Sequence, residues 1–131
     1  MIELDQSKHS LEDIFEREKT SYSVKRLLFK FHDTLIIQLQ TRNFTVFART
    51  HDKGISYLFK ENEAFVFIDV RSEFFTARFF TGNKAILGIG KGIWINKNDN
   101  KGSESYRICN ETDLKRAIIF SLDAYKIATG R

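Results

Sequence analysis

The chain has 131 residues, 42% of them hydrophobic and 29% charged, with a net charge of +4 and a pI near 9.2. That composition excludes a disordered chain, no apolar run approaches the roughly 20 residues that span a bilayer, and a single cysteine, Cys109, excludes an internal disulfide. The polar, acidic segment Met1–Ser10 does not read as a secretory leader, so the expectation is one cytoplasmic globular domain.

Ser10 is placed to cap a short helix over about 11–19, with Leu11, Ile14 and Phe15 as its apolar stripe. A longer helix is predicted over about 23–39. Val24, Leu27, Leu28, Phe31, Leu35 and Leu39 follow the helical period, while Phe29, Ile36 and Ile37 lie off that stripe. An apolar surface on two sides predicts a helix held between elements or docked on a partner. The chain then changes period. Nine of the chain's thirteen phenylalanines fall between residues 44 and 80, the chain has no proline, and Phe44–Thr50, Ile55–Lys60, Ala64–Val70 and Phe74–Thr81 read as antiparallel strands. Gly54 closes the first turn, where it is expected to supply positive φ. Residues 82–92 read as a glycine-containing loop, Ile93–Asn96 as a short strand, Asp99–Gly102 as a turn and Ser105–Cys109 as the last strand. Asn110 precedes a final helix over about 113–128 with Leu114, Ala117, Ile118, Ser121, Leu122 and Tyr125 on its buried side.

One strand register places Val46, Ala48, Tyr57, Phe59, Val66, Ile68, Val70, Phe75, Ala77 and Phe79 on a single apolar face, which the helices should cover. The opposite face then carries Phe47, Leu58, Phe65, Phe67, Phe74 and Phe80 among Arg49, Lys60, Arg71 and Arg78. Rings stack on bases and arginines neutralise phosphates, so such a face suits single-stranded nucleic acid. The same mixture also suits a protein interface, or a helix that simply covers the rings. Residues 1–20 hold six acids against three bases, and residues 84–107 hold five bases against two acids, a polarity compatible with an anion-binding surface. The candidate binding face is accordingly Arg49, Phe65, Phe67, Arg71, Arg78 and Phe80, joined by Lys91 and Trp94 from the basic segment.

No catalytic, cofactor or metal signature stands out. Gly88–Gly92 looks like a phosphate loop, but a strand-like Ile93-Trp94-Ile95 follows it where a helix N-terminus is needed. His9, His32 and His51 are scattered; His51 is expected to pair with Asp52 in its turn, and His32 to be partly exposed. Three such histidines and one cysteine lack zinc-ligand spacing. Cys109 reads as a small buried residue. Asp69, the acid inside an apolar strand, is explained by a cross-strand pair with Arg78 or a neighbouring Arg71. An enzyme would require Asp69, His51, Trp94 and Cys109 to converge.

Gly90-Lys91-Gly92-Ile93-Trp94-Ile95-Asn96, followed by Asp113-Leu114-Lys115-Arg116-Ala117-Ile118 and Tyr125, resembles the pattern of small bacterial α/β domains of unknown function. These are the MmcQ/YjbR-like proteins and a related domain described as a predicted transport protein. The resemblance covers about residues 44–127. It implies a compact α+β fold and transfers no site residue. Some of those relatives accompany DNA-processing domains, which favours a nucleic-acid ligand. The sequence therefore predicts a two-layer α+β domain with an antiparallel sheet of four to six strands over about 44–109. The expected role is a non-enzymatic interaction module without cofactor, self-associating or held in a larger assembly. A nucleic-acid-binding accessory protein is the alternative.

Overall fold

A computed structural model describes residues 4–82, 102–130 and, for the backbone alone, 93–95. Helices α1 (Leu11–Glu18) and α2 (Tyr22–Thr41) precede strands β1 (Phe47–His51), β2 (Gly54–Lys60), β3 (Glu63–Val70), β4 (Phe75–Phe80), β5 (Ile93–Ile95) and β6 (Gly102–Ile108), and helix α3 (Glu111–Thr129) closes the chain. The strands form one antiparallel sheet in the order β1-β2-β3-β4-β6-β5. No helix among the described residues is long and apolar enough to cross a membrane. Residues 99–101 of the predicted Asp99–Gly102 turn and most of the 82–92 loop lie outside the described residues, and Gly102 opens β6.

Each helix starts where a side chain satisfies its free N–H groups. Ser10 Oγ accepts from the Asp13 amide, Ser21 Oγ from Val24 and Asn110 Oδ1 from Asp113. Helix α1 stops because Lys19 turns left-handed at φ 53°, and α3 stops at Gly130, φ 71°. The edge of β1 is not bare. Asp5 pairs with it in parallel, donating to the Ala48 carbonyl and accepting from the Thr50 amide.

The helices cover one face of the sheet. Phe31 of α2 meets Tyr57 and Phe75, and on α3 Phe120 meets Phe79 and Tyr106 while Tyr125 meets Phe65. Ala48, Tyr57, Val66, Ile68, Val70, Phe75, Ala77 and Phe79 are buried on that face as their alternation predicts. Each large side chain so buried contributes about 1.5–3 kcal/mol. Ile36 of α2 also joins the core, whereas Phe29 and Ile37 stay exposed.

Three expectations need correction. Phe65 does not belong to the open face. The β2–β3 register shifts between Tyr57 and Leu58, so Phe65 and Val66 together oppose Tyr57. This β-bulge turns the Phe65 ring into the core against Tyr125, where it is fully buried. Gly54 does not have positive φ; its role is close approach, because a Cβ there would lie 2.1 Å from the Ile68 carbonyl oxygen. His32 is buried, with Nδ1 2.8 Å from the Tyr57 hydroxyl.

Candidate functional site: the open face of the sheet

Of the described helices, α3 borders the second face through Ala128, which lines its concavity. Cross-strand partners share a face, so the ladders place Phe47, Arg49 and His51 (β1), Ser56 and Leu58 (β2), Phe67 and Asp69 (β3), Thr76, Arg78 and Phe80 (β4), and Ser103, Ser105 and Arg107 (β6) together. Ser56, Leu58 and Ser103 are buried, Phe67, Asp69, Arg78 and Phe80 are half-buried, and Phe47, Arg49 and Arg107 are exposed. A concavity of about 410 Å³ is lined by Arg49, Ser56, Leu58, Phe67, Phe80 and the Asn62–Ala64 turn, among others.

Two ring–cation units stand on this face. The Phe67 and Phe80 rings meet edge to face at 4.9 Å, and the Arg78 guanidinium sits 5.5 Å from the Phe67 centroid. Arg107 lies 4.1 Å over Phe74, which precedes β4. Arg78 Nε is 3.6 Å from Asp69 Oδ2, an ion-pair distance too long for a hydrogen bond, and this buried N–H has no hydrogen-bond partner among the described residues. Arg49 donates to Asn62 Oδ1 at 3.3 Å.

A polar chain runs along the same face. His51 Nδ1 lies 2.8 Å from Ser56 Oγ, and His51 Nε2 lies 3.2 Å from Asp69 Oδ1. Burial pushes the Asp69 carboxyl up, but the hydrogen bond from His51 and the charges of Arg78, His51 and Lys53 outweigh it and hold the group below the usual carboxylate range. His51 thus pairs across the sheet rather than with Asp52 in its own turn.

Of the sequence-predicted residues, Arg49, Phe67, Arg78 and Phe80 share this face. Phe65 has left it for the core. Arg71 lies just past β3 and pairs with Glu18 of α1 at 3.5 Å rather than with Asp69. Trp94 opposes Ser103 in the backbone ladder, and its side chain lies outside the described residues, as does Lys91. Asp69 and His51 do meet. Cys109 is exposed, contrary to expectation, and lines a separate concavity with Ser23, Arg26 and Lys30. Among the described residues no cluster of His, Cys, Asp and Glu is placed to hold a metal ion. Ser56 and Arg107 were not singled out by sequence. The signal for Ser56 was present: the two-residue turn Asp52-Lys53 forces Arg49 opposite Ser56 once His51 opposes Gly54.

No family model matches this chain, and no match emerges among curated proteins or solved structures.

Proposed function

We propose that this protein is a binding module whose open sheet face takes single-stranded nucleic acid. The observation that carries the reading is the pairing of rings with guanidinium groups, Arg78 on Phe67 and Arg107 on Phe74, with Arg49 further along and one carboxylate, Asp69, on the same rows. Stacked aromatic and arginine planes hold bases without regard to sequence, and the surplus positive charge tracks the phosphates. A sheet face of rings and guanidinium groups matches an unpaired strand, whose bases splay onto it, better than a duplex, whose base faces are hidden.

Fluorescence anisotropy of labelled oligonucleotides tests this. Single strands are expected to bind at micromolar concentration or tighter, and duplexes more weakly. Three phosphate contacts imply a salt slope near −2, so affinity should fall roughly 20-fold between about 50 and 200 mM salt. Absence of binding at the lower salt defeats the reading. Light scattering at high protein concentration then asks whether a second copy is the partner, through the exposed Tyr22, Phe29 and Ile37 of α2 or Ile119 and Ile127 of α3.

A further inference from the structure

The open face carries more than rings and cations. His51 ends β1, Ser56 lies on β2 and Asp69 on β3, so three adjacent strands each supply one member of a hydrogen-bonded chain. The register explains how they meet. Gly54 opposes His51 on one side and Asp69 on the other, so those two residues stand on one row across β2. Ser56, two residues further along β2 on the same face, is diagonal to His51.

The protonation pattern follows from the partners. Asp69 is held ionised and only accepts, so His51 Nε2–H donates to it. A neutral imidazole then has its lone pair on Nδ1, and the Ser56 hydroxyl donates there. A serine hydrogen-bonded to a histidine that a carboxylate orients is the arrangement of an activated nucleophile. Here the two ring nitrogens exchange roles relative to the usual order, which the chemistry permits because either nitrogen can be the base. Ser56 also lines the concavity of about 410 Å³ with Leu58, Phe67 and Phe80, and Arg49 stands directly opposite it on β1.

We infer that Ser56, His51 and Asp69 form a nucleophilic relay that hydrolyses small carboxylic esters whose apolar acyl group occupies this concavity. Ser56 Oγ bonds to the carbonyl carbon while its proton passes to His51 Nδ1. The carbonyl π pair moves onto oxygen, where the Arg49 charge faces it, and Asp69 balances the imidazolium. Collapse breaks the bond to the alkoxy oxygen, which leaves with the proton from His51. Water then attacks the acyl–Ser56 ester, gives a proton to His51, and releases the acid as Ser56 recovers its hydrogen. No oxidant, metal or cofactor enters the balance. The inference does not rest on the nucleic-acid reading, although both use Arg49 and the rings of Phe67 and Phe80.

The test treats the full-length protein with diisopropyl fluorophosphate and maps the product by intact mass and peptide sequencing. The expected result is one phosphoryl group per chain on Ser56 Oγ, with fluoride released, and turnover of p-nitrophenyl acetate that the reagent abolishes. S56A should lose both, and H51Q and D69N should slow labelling by at least about 100-fold. An unlabelled wild-type protein, a label on another residue, or ester turnover that survives in S56A would each overturn the relay. Because wild-type labelling alone decides the matter, a variant that fails to fold does not rescue it. Loss of oligonucleotide binding with labelling intact would count only against the binding reading.

Discussion

Tyr57 and His32 show how one polar contact is sustained inside an aromatic core. The Tyr57 hydroxyl is fully enclosed, burial pushes its pKa well above the usual tyrosine value, and its partner is His32 Nδ1 at 2.8 Å. Tyr57→Phe would leave the imidazole nitrogen buried without its partner, at an expected cost of about 1–3 kcal/mol in urea unfolding. The pair also makes stability depend on pH. Burial lowers the His32 pKa, with Asp33 opposing. Above about pH 6.5 both native and unfolded histidine are neutral and the residue has no effect. Below that value the unfolded chain takes up a proton that the native state resists, so stability falls as pH drops and levels off below the native pKa. The slope from one such proton is at most about 1.4 kcal/mol per pH unit. The His32 share is read as the difference from His32→Gln, whose urea midpoint should change less between about pH 7 and pH 5. An unchanged difference would mean that His32 protonates freely in the native state.

At the scale of elements, the sheet depends on two local irregularities. Gly54 lets β2 approach β3 so closely that any Cβ meets the Ile68 carbonyl at 2.1 Å. Gly54→Ala must therefore push backbone against backbone, and we expect a loss of roughly 3 kcal/mol or more; thermal denaturation within about 1 °C of the parent would contradict the close approach. The bulge at Phe65 is the second. Strand periodicity made Val66, Ile68 and Val70 legible as core, and helical periodicity did the same for Leu28, Phe31 and Leu35, because a face packed on one side imposes its period on the sequence. Phe65 was not legible: period-two reading has no sign for an inserted residue, and alternation from Val66 assigns it to the wrong face. The candidate site was half legible for a related reason. Arg49, Phe67, Arg78 and Phe80 share a parity and fall out of the alternation, whereas the approach of His51 to Asp69 needs three strands in register. Arg71 failed because its partner, Glu18, comes from another element, which no local pattern encodes.

For the whole molecule, the sheet divides stability from recognition. Its helix-covered face holds the core, with Phe65, Phe75 and Phe79 fully buried, while Phe67 and Arg78 on the other face are half-buried and touch neither α2 nor α3 through any ring or ion pair described. Groups on opposite faces share few partners, so their energetic effects should be nearly independent. Phe65→Ala removes a ring enclosed by the bulge and Tyr125, and about 3–5 kcal/mol of stability should go with it. The remaining folded protein should bind single strands as the parent does. Phe67→Ala removes a stacking surface that is already partly in water, so its melting temperature should fall far less. It should still forfeit about 1–3 kcal/mol of binding, the worth of one stacked base. Arg78→Gln adds a distinguishing readout, because losing one phosphate contact should flatten the salt slope by about 0.7 for single strands. Melting curves and anisotropy titrations on the three variants check the division together. If Phe65→Ala weakens binding as much as it destabilises the fold, or Phe67→Ala destabilises as much as Phe65→Ala, then the two faces act as one unit and the open face is an extension of the core rather than a surface set aside for a ligand.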